Sequence, residues 1–448
     1  MKLRPAHKSF RRQLVAICLA LAGCSGVAPL ELADHASLAP SLDALHHDGV
    51  TLSQPLGITQ LAALAVQNNP DLIATRAQHG VAEAQVLQAG LLPNPQVTGA
   101  ILPLVAGVGT TTAWNAGISE DVRALITLSA NRRAARANAD QIDAQILWQE
   151  WQTIGQVRLL AVDIIEGDRL IALLRQNSKL LAARYEKSNR AVQAGNETVT
   201  VSTPDLAALQ TVTSQLHDQE RQQLSRRHQL NALLGLAPEV MLTLDHRLDI
   251  PVWSSALVRQ SLPTLADRRP DLVALQLGYR AQNAKLRGAV LSRFPNLAFG
   301  VTGSSDNSNV RNAGPQITLE LPIFNQGQGN IAIETATRRQ LHDEYTARLT
   351  AAVGQVRAMS AEIDQLVQQR DSVRRELART VQVAKRAETA FRAGYLDERG
   401  YVDLIGARLT KEQEIVAIEQ SLLDQEVAIA TLIGAGMPPV ILPPGTTS

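Results

Sequence analysis

Four short motifs occur twice in this chain, in the same order and roughly 200 residues apart. Asn69-Pro70-Asp71-Leu72 returns as Arg269-Pro270-Asp271-Leu272, and Leu92-Pro93-Asn94 as Phe294-Pro295-Asn296. Ala194-Gly195 returns as Ala393-Gly394, and Leu234-Gly235 as Ile433-Gly434. A duplicated unit of this size is too long for a small solenoid repeat. The fold must therefore be built from two similar halves.

Each half predicts the same elements. A helical stretch comes first (59–90, then 268–292), with a proline early in it and its periodic pattern stopping before another. Two strand-like stretches follow, then a very long helical tract at 128–194 and 328–393. No proline interrupts the chain between Pro103 and Pro204, or between Pro322 and Pro438. A turn at Gly195 or Gly394 ends the tract, and a return helix runs to Gly235 or Gly434. At about 1.5 Å per residue, a helix of roughly 65 residues is about 100 Å long. The first stretch and the return helix together match that length, so two short helices stacked end to end fit beside one long one. Aromatic residues are only 3% of the chain, which favours narrow helix-on-helix packing over a thick globular core. With 43 basic and 42 acidic residues the net charge is +1, and nothing in it calls for nucleic acid as a partner.

The predicted strands are 96–104, 112–121, 296–304 and 316–324. Each has about the length a tilted strand needs to cross a bilayer. Leu297, Phe299 and Val301 alternate with Ala298, Gly300 and Thr302; Ile317, Leu319, Leu321 and Ile323 alternate with Thr318 and Glu320. This is the apolar-out, polar-in rhythm of a barrel wall. The first pair is less regular, though Val97, Ile101 and Trp114 fit. The connections 105–111 and 305–313 are rich in Gly, Ser, Asn and Thr, as exposed loops are. Phe294, Phe299 and Phe324 lie in or beside the second pair as candidate interface anchors. A soluble sheet packed on the helices is the alternative. If the sheet does span, unpaired backbone in hydrocarbon is too costly for a free edge, and four strands are too few to close. Two chains would supply eight strands and a filled interior; three would supply twelve and a lumen.

The chain opens with a basic segment (Lys2, Arg4, Lys8, Arg11, Arg12) and an apolar run from Leu14 to Ala22 that is too short to span a bilayer. Leu21-Ala22-Gly23-Cys24 resembles the lipobox of bacterial lipoproteins, which implies that Cys24 is acylated and heads the mature chain. Cys18 would leave with the signal. Ser25, where an Asp would favour inner-membrane retention, points to the outer membrane. A plain secretory signal is the alternative reading.

Taken with Ala89-Gly90-Leu91-Leu92-Pro93-Asn94-Pro95, Arg293-Phe294-Pro295-Asn296 and Leu321-Pro322-Ile323-Phe324-Asn325, these motifs resemble the TolC-like outer-membrane efflux proteins. The likeness extends over nearly all of the mature chain. It implies a mainly α protein with membrane β: tandem long α-helical hairpins forming a periplasmic tunnel, with four strands per chain in a trimeric twelve-stranded barrel. The implied organisation is a signal at 1–23, a lipidated linker at 24–55, efflux repeats at 56–240 and 263–436 joined by a linker at 241–262, and an irregular tail at 437–448. The implied partners are a homotrimer, a periplasmic adaptor (membrane fusion) protein, an inner-membrane pump of RND type and outer-membrane lipid. Gln193-Ala194-Gly195-Asn196 and Arg392-Ala393-Gly394-Tyr395 match the family's periplasmic tip. This makes Gly195, Asn196, Gly394 and Tyr395 the expected docking positions, although a turn is needed there in any case.

The family's acidic gate position matches Asp403, with Asp205 its nearest counterpart in the first half. Gly406 stands where a second acidic residue is often found. Asp205 also fits a helix start, with Thr203 as cap and Pro204 in the first helical position. Arg132, Arg133, Arg136, Arg374, Arg375 and Arg379 read as solvated faces or as tunnel lining. No catalytic constellation, cofactor motif or metal-ligand cluster stands out. Gly107-x-Gly109 lacks a phosphate-loop ending, no His-Glu-x-x-His occurs, and Met241, Met359 and Met437 are far apart. The reading is a passive, non-enzymatic export duct for metal ions or drugs. The segment 321–329 resembles the metal-efflux branch more than the protein-secreting one. A periplasmic scaffold lipoprotein without channel activity is the alternative.

Overall fold

A computed structural model describes residues 29–52, 54–250 and 254–437 of the chain. The residues around Cys18 and Cys24, and the tail beyond Met437, lie outside the described residues. Residues 29–38 belong to a separate N-terminal segment and carry no regular secondary structure. The main body begins at Ala39.

Its elements are α1 (Ile58–Asn68), α2 (Pro70–Gly90), β1 (Gln96–Leu102), β2 (Ala113–Asp121), α3 (Val122–Gln193) and α4 (Val199–Leu233). The second half contains α5 (Ser255–Ser261), α6 (Leu265–Arg268), α7 (Pro270–Leu291), β3 (Asn296–Ser305), β4 (Arg311–Glu320), α8 (Gln328–Arg392) and α9 (Glu398–Leu432). The expected duplication is present: α2-β1-β2-α3-α4 recurs as α7-β3-β4-α8-α9, while the single helix α1 is replaced by the two short helices α5 and α6. Among the described residues, no helix is long and apolar enough to cross a membrane.

The expected helix at 59–90 is broken in two. Pro70 has no N–H to continue a helix, and Asn69 before it is extended. The Asn69 side chain caps the new helix by accepting from Leu72 N at 2.9 Å. In the second half Arg269 is extended in the same way before Pro270, but its side chain binds Asp271 instead.

The stacking expected from helix lengths is found. Asn69 Nδ2 at the start of α2 donates to Leu233 O at the end of α4 (3.1 Å). The end of α9 meets the start of α7 in the same manner, where Arg268 donates to Met437 O (3.3 Å). The helices form a wall in the order α4/α2, α3, α9/α7, α8. α3 is packed from both sides, whereas the buried residues of α8 (Ala352, Val356, Ile363, Val373, Ala384, Ala387) recur at helical spacing along one stripe. The wall therefore has an unpartnered long helix on one edge. Near the junctions, residues 39–52, 54–56 and 237–250 cover one surface of the wall, burying Leu42, Leu45, Leu56 and Leu242 against Val157, Ala161, Ile164 and Ile165 of α3.

The four strands form one antiparallel sheet in the order β1-β2-β3-β4. Its register puts Leu297, Phe299 and Val301 on one face with Leu319 and Ile317 of β4, Ile118 and Trp114 of β2, and Val97 and Ile101 of β1. The first strand pair, irregular in sequence, thus joins the same apolar band once paired. The other face carries Thr98, Asn115, Ser119, Thr302, Gln316 and Thr318. The apolar side chains are exposed, Val97 at 78% and Ile317 at 65%, so the sheet is not packed on the helices. That removes the soluble-sheet alternative for this body. β2 and β3 approach so closely that a Cβ on Gly300 would stand 2.3 Å from Ile118 O.

The last strand is shifted from its expected position. It was predicted at 316–324 and forms at 311–320, because the β3 ladder zips on through Ser305↔Arg311. The expected 305–313 loop shrinks to a turn in which Asp306 Oδ1 accepts from Ser308 N (2.8 Å) and Val310 N (2.9 Å). Pro322 cannot donate to a ladder, so Leu321 to Phe324 leave the sheet. Pro315 is tolerated because β4 is an edge strand.

Candidate functional site

At the end of the wall remote from the sheet, two helical hairpins turn. Gly195 and Gly394 have φ of +76° and +77°, where a side chain is disfavoured. Asn196 N donates to Ala191 O and Gly195 N to Val192 O, both at 2.9 Å. Tyr395 N donates to Ala390 O (2.8 Å) and Gly394 N to Phe391 O (3.0 Å). Both turns are thus Schellman closures that satisfy the last carbonyls of the long helices. Tyr395 is 89% exposed at the apex, and Asn196 is exposed as well. Below the second apex, Phe391 and Tyr401 stack with ring centroids 4.7 Å apart and tie α8 to α9.

Asp205 does not serve as a helix-start residue. α4 begins at Val199, five residues before Pro204, which lies inside the helix. Thr203, the expected cap, bonds back to Val199 O at 2.9 Å instead. Asp205 is buried; its Oδ1 accepts a hydrogen bond from Arg399 Nη2 of α9 (2.9 Å) and forms an ion pair with Arg184 of α3, whose Nε lies 2.8 Å away without hydrogen-bond geometry. Arg399 also donates to Val201 O at 2.9 Å. These bonds explain the displaced start: two guanidinium groups draw the carboxylate inward, and the helix extends past the proline to place it. The bond to Asp205 holds the Arg399 guanidinium above its ordinary pKa.

Asp403 of α9 is more exposed and pairs with the other side of Arg184. Lys187 of α3 pairs with Glu398 of α9. Both acidic residues singled out in the sequence therefore meet on one arginine, which bridges the two halves of the chain. A charged groove of about 430 Å³ opens beside them, lined by Lys187, Glu197, Asp397, Glu398 and the two arginines. At Gly406 a side chain would meet open space. The sequence reading missed Arg184, Lys187 and Arg399. Nothing along the chain marks them, because charged residues are frequent on all the long helices and only tertiary convergence separates these.

A wall of long helices that ends in an open, one-face-apolar sheet is an architecture this chain shares with solved outer-membrane channels. Residues 262–435 match the family model described as outer membrane efflux protein. The cobalt-zinc-cadmium resistance protein CzcC of Cupriavidus metallidurans is 25% identical over 374 residues, spanning 80% of this chain and 84% of that protein. The solved structure of CusC superposes with a TM-score of 0.66 at 17% identity, over 92% of this chain and 100% of that one. The open state of the MtrE channel from Neisseria gonorrhoeae gives 0.67 at 15% identity, over 92% and 98%. Residues 262–435 are thus matched by the outer membrane efflux protein family, and the chain as a whole shares the fold of these channels.

Proposed function

We propose that three copies of this chain close into one passive duct that carries small solutes, metal ions or drugs, through the periplasm and outer membrane. The observation that carries this reading is the sheet: two unpaired edges, β1 and β4, flank an exposed apolar face that is broken only near its helical end, where Glu120 stands opposite Phe299. Such edges are untenable in hydrocarbon until paired with a neighbour. Three chains give twelve strands, with the apolar face toward lipid and the polar face toward water. The lone flank of α8 then finds a partner in the α4/α2 stack of the next copy.

In this reading the apices at Gly195, Asn196, Gly394 and Tyr395 receive the periplasmic adaptor, which couples the duct to an inner-membrane pump of RND type. The Arg184–Asp205–Arg399 and Arg184–Asp403 pairs hold the two hairpins of each copy together and so keep the tip narrow. Asp205 and Asp403 are the gate residues. Cys24 anchors the chain to outer-membrane lipid.

Planar-bilayer recording tests the reading. The purified trimer gives conductance steps, and Asp403→Ala makes them larger or longer. A scaffold lipoprotein gives no steps in either form, and that result would end the duct reading. The Cys24→Ala variant abolishes palmitate labelling if the anchor is as proposed.

A further inference from the structure

Stacking two short helices end to end leaves a weak point beside their junction. Near the last turns of α9, between the long helices α3 and α8, a cleft of about 600 Å³ opens. That volume is in the range of small-molecule sites. Its walls are Trp148 and Leu159 of α3, Met359 and Glu362 of α8, and Thr431 and Leu432 of α9. On α3, Trp148 and Gly155, which also lines the cleft, lie on a side of the helix largely opposite Val157, Ala161 and Ile164, which pack under residues 39–52, 54–56 and 237–250. The cleft thus opens on the surface of the wall that those covering segments leave bare. If the wall closes as proposed above, that surface is the bore.

We propose that this cleft is a binding station for a lipophilic organic cation on its way through the duct, an inference that rests on the duct reading. The chemistry of the lining selects that class. Glu362 is exposed and forms no ion pair among the described residues, so a negative charge is available to an incoming cation. Trp148 already holds one cation on its ring, the Arg269 guanidinium 4.9 Å from the centroid. Asp271, at 2.7 and 2.9 Å, offsets the charge of that guanidinium in part, and shares its carboxylate with Arg348 at 4.0 Å, which leaves Glu362 as the unpaired charge that favours a cation in the cleft. An aromatic face beside a free carboxylate is the pairing that retains desolvated organic cations. An organic anion would face Glu362, and a neutral solute would leave the carboxylate unused. A metal ion would find one carboxylate with no His, Cys or second acid around it. The matching cleft at the α4/α2 junction, about 520 Å³, contains Asp71 but no aromatic residue.

Rhodamine 6G is a suitable probe, with fluorescein as the anionic control. Fluorescence anisotropy of either dye is followed against the full-length protein in nanodiscs. Rhodamine 6G binds saturably to the wild type, and Glu362→Gln and Trp148→Ala each weaken it about tenfold. Fluorescein does not bind. Saturable rhodamine binding that is unchanged in both variants overturns the proposal, as does the absence of saturable binding. Bilayer recording on the same preparation separates the two readings. Conductance steps without saturable rhodamine binding overturn the cleft alone. Absence of steps overturns the duct, and with it the cleft's place on an export path.

Discussion

Asp424 of α9 sits in the seam where the two halves of the chain meet, facing Asp163 of α3. Asp163 is already held by Gln420 of α9 and lies 3.5 Å from Arg226 of α4. Asp424 Oδ1 is buried without a hydrogen-bond partner. Burial first, and the Asp163 charge second, push its carboxyl up from 3.8 to about 7, against the smaller pull of Arg226. Between those two values the folded chain keeps a proton that the unfolded chain has lost. Stability contributed by this group is therefore fully present below about pH 4, falls as pH rises, and is gone above about pH 7. At about 1.4 kcal/mol per pH unit the full span is worth about 4 kcal/mol. Partial solvent access to the side chain reduces this to about 2 kcal/mol. Asp424→Asn mimics the protonated form at every pH. Urea unfolding followed by helical circular dichroism should give matching midpoints for variant and wild type at pH 4. At pH 8 the variant should be more stable by about 2 kcal/mol. Parallel pH profiles for the two proteins would refute the argument, because they would mean that folding leaves the Asp424 pKa unshifted.

Asp205→Ala leaves a buried void and removes one partner from Arg184 and Arg399, which keep Asp403 and Val201 O respectively; it should cost about 2 kcal/mol, read as a lower urea midpoint. Asp403→Ala removes an exposed pair and should cost under about 1 kcal/mol in the same assay. Gly394→Ala has steric room but must hold φ near +77°, so it should lower the midpoint by about 1 kcal/mol. Val301→Lys puts a charge on the apolar face and should destabilise the barrel by about 2–4 kcal/mol, whereas its neighbour Thr302→Lys, on the polar face, should be nearly neutral. Heat-resistant migration of the trimer on gels reads that difference, and equal losses for both would contradict the assignment of faces.

Much of this architecture was legible in the chain before any coordinates. The repeated Pro and Gly motifs announced two halves, the proline-free tracts announced helices near 100 Å, and alternation at 296–302 announced a wall strand. Those signals are local: a proline ends a helix, a glycine admits positive φ, and alternation follows the pleat whatever surrounds it. Element ends were less legible. Thr203-Pro204-Asp205 has every mark of a helix start, yet α4 begins at Val199 because the Asp205 carboxylate is needed inside, between Arg184 and Arg399. Likewise the polar residues around 305–313 read as loop until the β3–β4 ladder claimed their backbone hydrogen bonds.

What the sequence determined by itself was the sort of element each stretch forms and the fact that everything comes twice. Only the tertiary structure decided which charges meet, which face of the first strand pair is apolar, and where the junction clefts open. Several of those outcomes depend on residues about two hundred positions apart, as Asp205 and Arg399 or Ile118 and Val301 are. Ion pairs and strand register are set by packing in three dimensions, for which a single chain's local pattern has no counterpart.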